Sequence, residues 1–330
     1  MNIRIKSPTR VDLAGGTLDM WPLYNFVGGA TTINLAIDIW TEAELSPTTD
    51  GKIKILSKDL KQEWEFASRS LLLSALDPKI NFYQKIIQHF DIHSGFVLST
   101  SSQSPIGGGL GGSSSLVISI LKAFNLMTKS QMTTQELVHL AHNIEAEILQ
   151  TPTGTQDYFP AITGGLSVID YTASSTQQTV HSVIGSPLED HFLLVYTGKS
   201  HHSGLNNFEV LKSAVEGDFK VFAALKKIKM IAENLKAAIL EKNWSELPSL
   251  FRQEYEARVE LTPAFTSPEI EKLAKISMGA GALALKICGA GGGGCVLIWV
   301  PPEHREKVVQ VCQNEKFQCL NARPVNPLIL

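Results

Sequence analysis

The chain has 330 residues, 44% apolar and 18% charged, with a formal net charge of −3 and mean hydropathy near zero. That length suffices for two ordinary domains, each with its own core. No basic block supports a nucleic-acid surface, no apolar run approaches the ~18 residues of a membrane span, and Met1-Asn2-Ile3-Arg4-Ile5-Lys6 lacks a signal-peptide core, so a cytoplasmic protein without nucleic-acid or membrane partners is expected.

In chain order, Ile3 to Lys6 reads as a strand, followed by a glycine-containing loop that carries Arg10, Asp12 and Asp19, and then by the β-branched stretch Ala30 to Ile39. Ile53 to Leu56 and Glu63 to Phe66 read as further strands, and Asn81 to Phe90 as a helix. Gly95 to Thr100 alternates apolar and small polar residues as a half-buried strand does. After Pro105, five glycines occupy the six positions 107 to 112, and Ser113 to Ser115 lead into Leu116, Ile120, Leu121 and Phe124 at helical spacing. Such a loop lets successive backbone N–H groups turn inward around an anion, and the helix start adds free N–H groups and the positive end of a dipole. The run also contains Gly107-x-Gly109-x-x-Gly112, but no second strand follows the helix as a dinucleotide fold requires. Instead Thr133-Thr134-Gln135-Glu136 opens a second helix, whose stripe is Leu137, Leu140, Ala141, Ile144 and Ile148.

That helix ends in carboxylates. Glu145 and Glu147 oppose the macrodipole on its last turns, and Asp157 emerges from the turn after Pro152 and Gly154. Glu145, flanked by apolar neighbours, suits a buried ligand of Mg²⁺; Glu147 suits a solvated face. Asp19, beyond the paired Gly15 and Gly16, suits either a polyol, since a carboxylate accepts two hydroxyls, or an Asx turn before Pro22. The Ser-, Thr- and Gln-rich stretch Tyr171 to Thr179 is the expected domain boundary. Beyond it lie a strand at Phe192 to Tyr196, helical patterns over roughly 206 to 242, 244 to 260 and 268 to 280, a second glycine run at 289 to 294, a strand from Cys295 to Val300, and a helix over His304 to Asn314. Strands segregate from helix blocks, which predicts an α+β fold. The four cysteines make no Cys-x-x-Cys pair and read as reduced, structural thiols.

Arg10 to Asp19, Pro105 to Ser115 and Lys286 to Gly294 together resemble, in order, the three motifs of the GHMP kinases. Within that superfamily Ala14-Gly15-Gly16-Thr17-Leu18-Asp19, Gly109 to Ser114 and Gln156-Asp157 look most similar to the branch of D-glycero-D-manno-heptose 7-phosphate kinases and fucokinases. The resemblance implies an N-terminal domain over 1–175 similar to ribosomal protein S5 domain 2, and a ferredoxin-like C-terminal domain over 176–330. It also implies ATP and Mg²⁺. Pro105, Gly107, Gly108, Gly109, Leu110, Gly111, Gly112, Ser113 and Ser114 would wrap the nucleotide, and Ser113 with Glu145 would hold the metal. Asp157 falls at the catalytic Asp and Arg10 at the transferring phosphate. Asp19, Gly15, Gly16, Ser200, His201, Gly291 and Gly292 would contact substrate. The expected acceptor is a hydroxyl of a sugar or sugar phosphate, foremost the anomeric hydroxyl of a heptose 7-phosphate, in a monomer or homodimer. Galactokinase-like or mevalonate-type phosphorylation, and a sugar-sensing pseudokinase, are the alternatives.

Overall fold

The computed structural model describes residues 2–200 and 203–329. The first half runs β1 (Ile3–Ala14), α1 (Leu23–Phe26), β2 (Ala30–Thr48), β3 (Ile53–Ser57), β4 (Gln62–Phe66), α2 (Arg69–Leu73), α3 (Asn81–Ile87), β5 (Gly95–Ser102), α4 (Gly112–Thr128), α5 (Thr134–Leu149), α6 (Tyr158–Thr163), β6 (Leu166–Tyr171) and β7 (Thr176–His181). The second comprises β8 (Phe192–Tyr196), α7 (Ser203–Val215), α8 (Phe219–Leu240), α9 (Leu247–Leu261), α10 (Pro268–Gly279), β9 (Ala284–Ile287), β10 (Cys295–Trp299), α11 (Arg305–Asn314) and β11 (Gln318–Leu320).

Among the described residues there are two sheets, a mixed one of seven strands and an antiparallel one of four, and the α+β class holds. In the first, the 19-residue β2 is the spine: β5 pairs with Thr41 to Thr48, β6 with Ala30 to Leu35, and β1 lies along it antiparallel through two register shifts. The second sheet has the order β11-β8-β10-β9 with helices after β8 and β10, the β-α-β-β-α-β arrangement of a ferredoxin-like fold. One apolar cluster sits under α3, α4 and α5, and a second joins Val11, Leu13, Ile33 and Leu35 of the first sheet to α8, α9 and the second sheet.

Several boundaries differ from the sequence reading. β1 continues to Ala14, so Arg10 and Asp12 stand on a strand and not in a loop; its residues from Ser7 onward are buried on both faces, which erases the two-residue alternation. The helical stretch 206–242 is interrupted at Gly217, and Asp218 starts α8 by accepting from the N–H groups of Lys220 and Val221. β7 pairs with β6 throughout, so a division between 175 and 176 cuts a hairpin of the first sheet. The backbone at 323–328 also returns to that sheet, with bridges from Ile37 to Pro324 and from Gly164 to Pro327.

Candidate active site

The glycine run forms the loop between β5 and α4. Gly111 takes φ +66° as the residue before α4, and a Cβ there would stand 3.0 Å from Oδ2 of Asp157, so this backbone turns as glycine permits and brings the loop against the carboxylate. No side chain caps α4, which leaves its N-terminus to a ligand. The loop is anchored at two points: the Arg10 N–H on β1 donates to Leu110 O at 3.0 Å, and the Cys295 N–H at the start of β10 donates to Gly108 O at 2.8 Å. All three glycine-bearing segments thereby meet at one cleft of about 410 Å³. Its walls include Pro105 to Ser114, Arg10, Asp19, Glu145 and Asp157, together with Gly289 and Ala290.

Arg10 is 5% exposed. Its Nε donates to Oδ1 of Asp157 at 2.7 Å, with Nη2 at 2.6 Å from the same oxygen completing the ion pair, and Nη1 donates to the carbonyls of Gly109 and Cys288 at 2.6 and 3.0 Å. Burial opposes the guanidinium charge, yet Asp157 and Asp12 outweigh it and hold the arginine's pKa above its ordinary value. Since Oδ1 is engaged by Arg10, Oδ2 is the oxygen of Asp157 turned toward Gly111.

Glu145 is buried. Ser114 and Tyr158 donate hydroxyls to its Oε2 at 2.7 and 2.6 Å. Burial, above all, pushes its pKa up, and those hydroxyls together with Ser113 pull it back only in part. An anion so placed fits a divalent cation, and among the described residues no group of three or more His, Cys, Asp or Glu side chains could hold one alone. The expectation named Ser113 with Glu145; the structure puts both Ser113 and Ser114 on the cleft wall and adds Tyr158. Glu147 pairs with Lys85 on the surface, away from Glu145.

Asp19 also lines the cleft. The Gln156 N–H donates to its Oδ2 at 3.0 Å. Burial raises its pKa to about 6, with the charges of Asp157 and Asp12 adding to the shift and that N–H opposing it. A Cβ on Gly154 would stand 1.8 Å from Oδ2, so the absence of a side chain there makes room for the carboxylate.

Other expected substrate contacts stand elsewhere. Gly15 backs onto the Thr31 carbonyl of β2, Gly16 onto Asp12 and Gln156, and Gly291 and Gly292 onto the Ala264–Phe265 backbone, so these four are packing positions outside the cleft wall. Ser200 is exposed and off the wall, and His201 lies outside the described residues.

Sequence reasoning missed a buried quartet behind the acceptor side. Arg258 Nη2 donates to Asp12 Oδ2 at 3.0 Å and to Glu254 Oε1 at 2.6 Å, while Lys286 Nζ stands 3.5 Å from Asp12 Oδ2 and 3.1 Å from Glu254 Oε2. The Glu254 and Arg258 pair at i,i+4 was the legible signal. Ser57, Asp59, Leu60, Lys79, Phe82 and Tyr83 also line the cleft.

Comparison with known proteins shows the family and the fold. Residues 79–165 match the GHMP kinases N terminal domain and residues 235–318 the GHMP kinases C terminal domain. The chain is 28% identical to a D-glycero-alpha-D-manno-heptose 7-phosphate kinase of Campylobacter jejuni over 95% of its own length and 94% of that protein. In fold it resembles the mevalonate kinase of Methanococcus jannaschii, with TM-score 0.78 at 21% identity over 99% of each chain. It also resembles a D-glycero-D-manno-heptose 1-phosphate kinase of Bacteroides thetaiotaomicron, with TM-score 0.77 at 24% identity over 99% of this chain and 97% of that one.

Proposed function

The chain belongs to the GHMP kinases, a family of phosphotransferases, and from that premise we propose that it transfers the γ-phosphoryl group of ATP to a hydroxyl of a sugar phosphate, foremost the anomeric hydroxyl of a heptose 7-phosphate. The observation that carries this reading is the position of Asp157, fixed through Oδ1 by Arg10 and turned through Oδ2 toward the glycine loop, with Asp19 lining the same cleft. The similarity to the Campylobacter jejuni heptose 7-phosphate kinase along nearly the full length of both chains supports the acceptor class.

Phosphoryl transfer asks a protein mainly for positioning and charge neutralisation. The N–H groups of the 107–114 loop and the start of α4 would hold the phosphates, and Glu145 with Ser113 would hold Mg²⁺, which when bound neutralises phosphate charge. Asp157 Oδ2 accepts the proton of the attacking hydroxyl, and Arg10 orients that carboxylate through Oδ1. Asp19 accepts sugar hydroxyls, which places the acceptor. An enzyme-linked ADP-release assay with ATP and Mg²⁺, run across neutral sugars, sugar phosphates and mevalonate, tests the reading. Stimulation by heptose 7-phosphate is expected, and stimulation by mevalonate or a neutral sugar alone would overturn the acceptor class.

A further inference from the structure

The loop that carries Asp19 is held in a conformation its sequence does not favour. The Leu18 N–H donates to Gly15 O at 3.1 Å, closing a turn whose third residue is Thr17. Thr17 takes φ +76°, where such turns ordinarily use glycine or asparagine and where a β-branched side chain is strained. The next turn builds on it, since the Met20 N–H donates to Thr17 O at 3.3 Å and encloses Asp19. What restrains Thr17 comes from the other half of the chain. Its hydroxyl accepts from Arg258 Nη1 of α9 at 3.3 Å and donates to Asn207 Oδ1 of α7 at 2.9 Å, and Arg258 Nη2 also donates to Gly16 O at 3.2 Å. Arg258 is itself fixed by Glu254 and Asp12, and Thr17, Asp19, Asn207 and Arg258 all reach the cleft wall.

We propose that Thr17 is a positioning residue: its hydroxyl, clasped between Arg258 and Asn207, holds the 15–19 turn in a strained backbone so that Asp19 faces the acceptor. This rests on the reading of Asp19 as the group that binds acceptor hydroxyls. A strained residue retained at a site wall is the pattern of a preorganised contact, because the backbone cost is balanced by binding geometry. The clasp spans both halves of the molecule, so acceptor binding and the seating of α7 and α9 share one hydroxyl.

The test compares three variants in the ADP-release assay with the acceptor that stimulates the wild type. Thr17→Val removes the hydroxyl and keeps the shape; Thr17→Gly removes both hydroxyl and strain; Thr17→Ser keeps the hydroxyl. Thr17→Val and Thr17→Gly are expected to raise the acceptor KM by about five- to tenfold while the ATP KM moves less than about twofold, and Thr17→Ser to restore acceptor binding. Thr17→Gly is further expected to unfold at no lower temperature than Thr17→Val, so a weaker acceptor site is read apart from a weaker fold. An unchanged acceptor KM in Thr17→Val, or a Thr17→Ser variant as impaired as Thr17→Val, overturns the proposal alone. A wild type that no acceptor stimulates overturns the kinase reading and the clasp with it.

Discussion

Replacing Asp157 by Asn removes one charge and little else. The amide oxygen still accepts from Arg10 Nε, which in the wild type stands 2.7 Å from Oδ1, but the guanidinium loses its neighbouring anion. Breaking a fully buried pair costs about 3–5 kcal/mol. Here the Asp157 side chain is 21% exposed and the carbonyls of Gly109 and Cys288 remain, so a loss of about 2–3 kcal/mol is expected, several degrees in unfolding temperature. The catalytic effect is separate and larger. An amide cannot take the hydroxyl proton at Oδ2, and a positioned base contributes about 10²–10⁴ in rate, so kcat should fall by that factor while the ATP KM stays within about threefold. Steady-state ADP release and thermal unfolding of the same preparation measure both effects. A kcat within tenfold of wild type, with the fold intact, would refute the assignment of Asp157 as base.

Further outcomes follow from the same geometry. Asp19, with its pKa raised to about 6 against an ordinary ~3.9, should protonate as pH falls through 6, lowering kcat/KM for the acceptor between pH 7 and 5 with a level ATP KM; a flat profile would contradict it. The folded chain holds this proton more tightly than the unfolded one, so the group's contribution to stability is full below pH ~4 and is lost as pH rises to 6. Asp19→Asn should therefore raise the unfolding temperature at pH 7 while impairing acceptor binding. Gly154→Ala, whose Cβ would stand 1.8 Å from Asp19 Oδ2, should raise the acceptor KM about tenfold or more and spare ATP, as acceptor and nucleotide titrations would show. Lys286→Met leaves Asp12 and Glu254 with Arg258 as their one remaining cation in the quartet, a loss of ~3–5 kcal/mol in urea unfolding, and Lys286→Met with Glu254→Gln should recover much of it.

Local chemistry made much of the molecule legible. Thr133 and Glu136 form the reciprocal cap that their spacing announced, and of the apolar residues after Ser113, Ile120, Leu121 and Phe124 are buried on α4 while Leu116 is half-buried. Where burial removes periodicity, reading failed: β1 beyond Ser7 carries Arg10 and Asp12 among residues hidden on both faces. β9 is four residues long and contains Lys286, which looks like a loop residue until Asp12 and Glu254 are placed beside it. The carboxylates of the site could be nominated singly, because each sits beside a glycine or a helix end. Their partners could not: Arg10 lies 147 residues from Asp157, and Arg258 lies 246 from Asp12. Glycines were ambiguous for a related reason, since Gly111 faces the cleft and Gly291 faces the Phe265 backbone, and only the fold distinguishes the two.

The segment that returns from the second sheet to the first bears on how the chain acquires its structure. The Gly165 N–H donates to Val325 O, Val325 N–H to Ala36 O, and Asp38 N–H to Arg323 O, all at 2.9 to 3.0 Å, so residues 323–325 supply backbone partners between β2 and the turn before β6. During synthesis the first sheet leaves the ribosome long before those partners exist, at a pace of about 5–20 residues per second. Until they arrive, the backbone beside Ala36 and Gly165 is an open edge, the kind of surface that recruits a neighbouring chain. Completion of the first sheet therefore awaits residues 323–325, and a nascent chain stalled before residue 323 would hold that edge exposed.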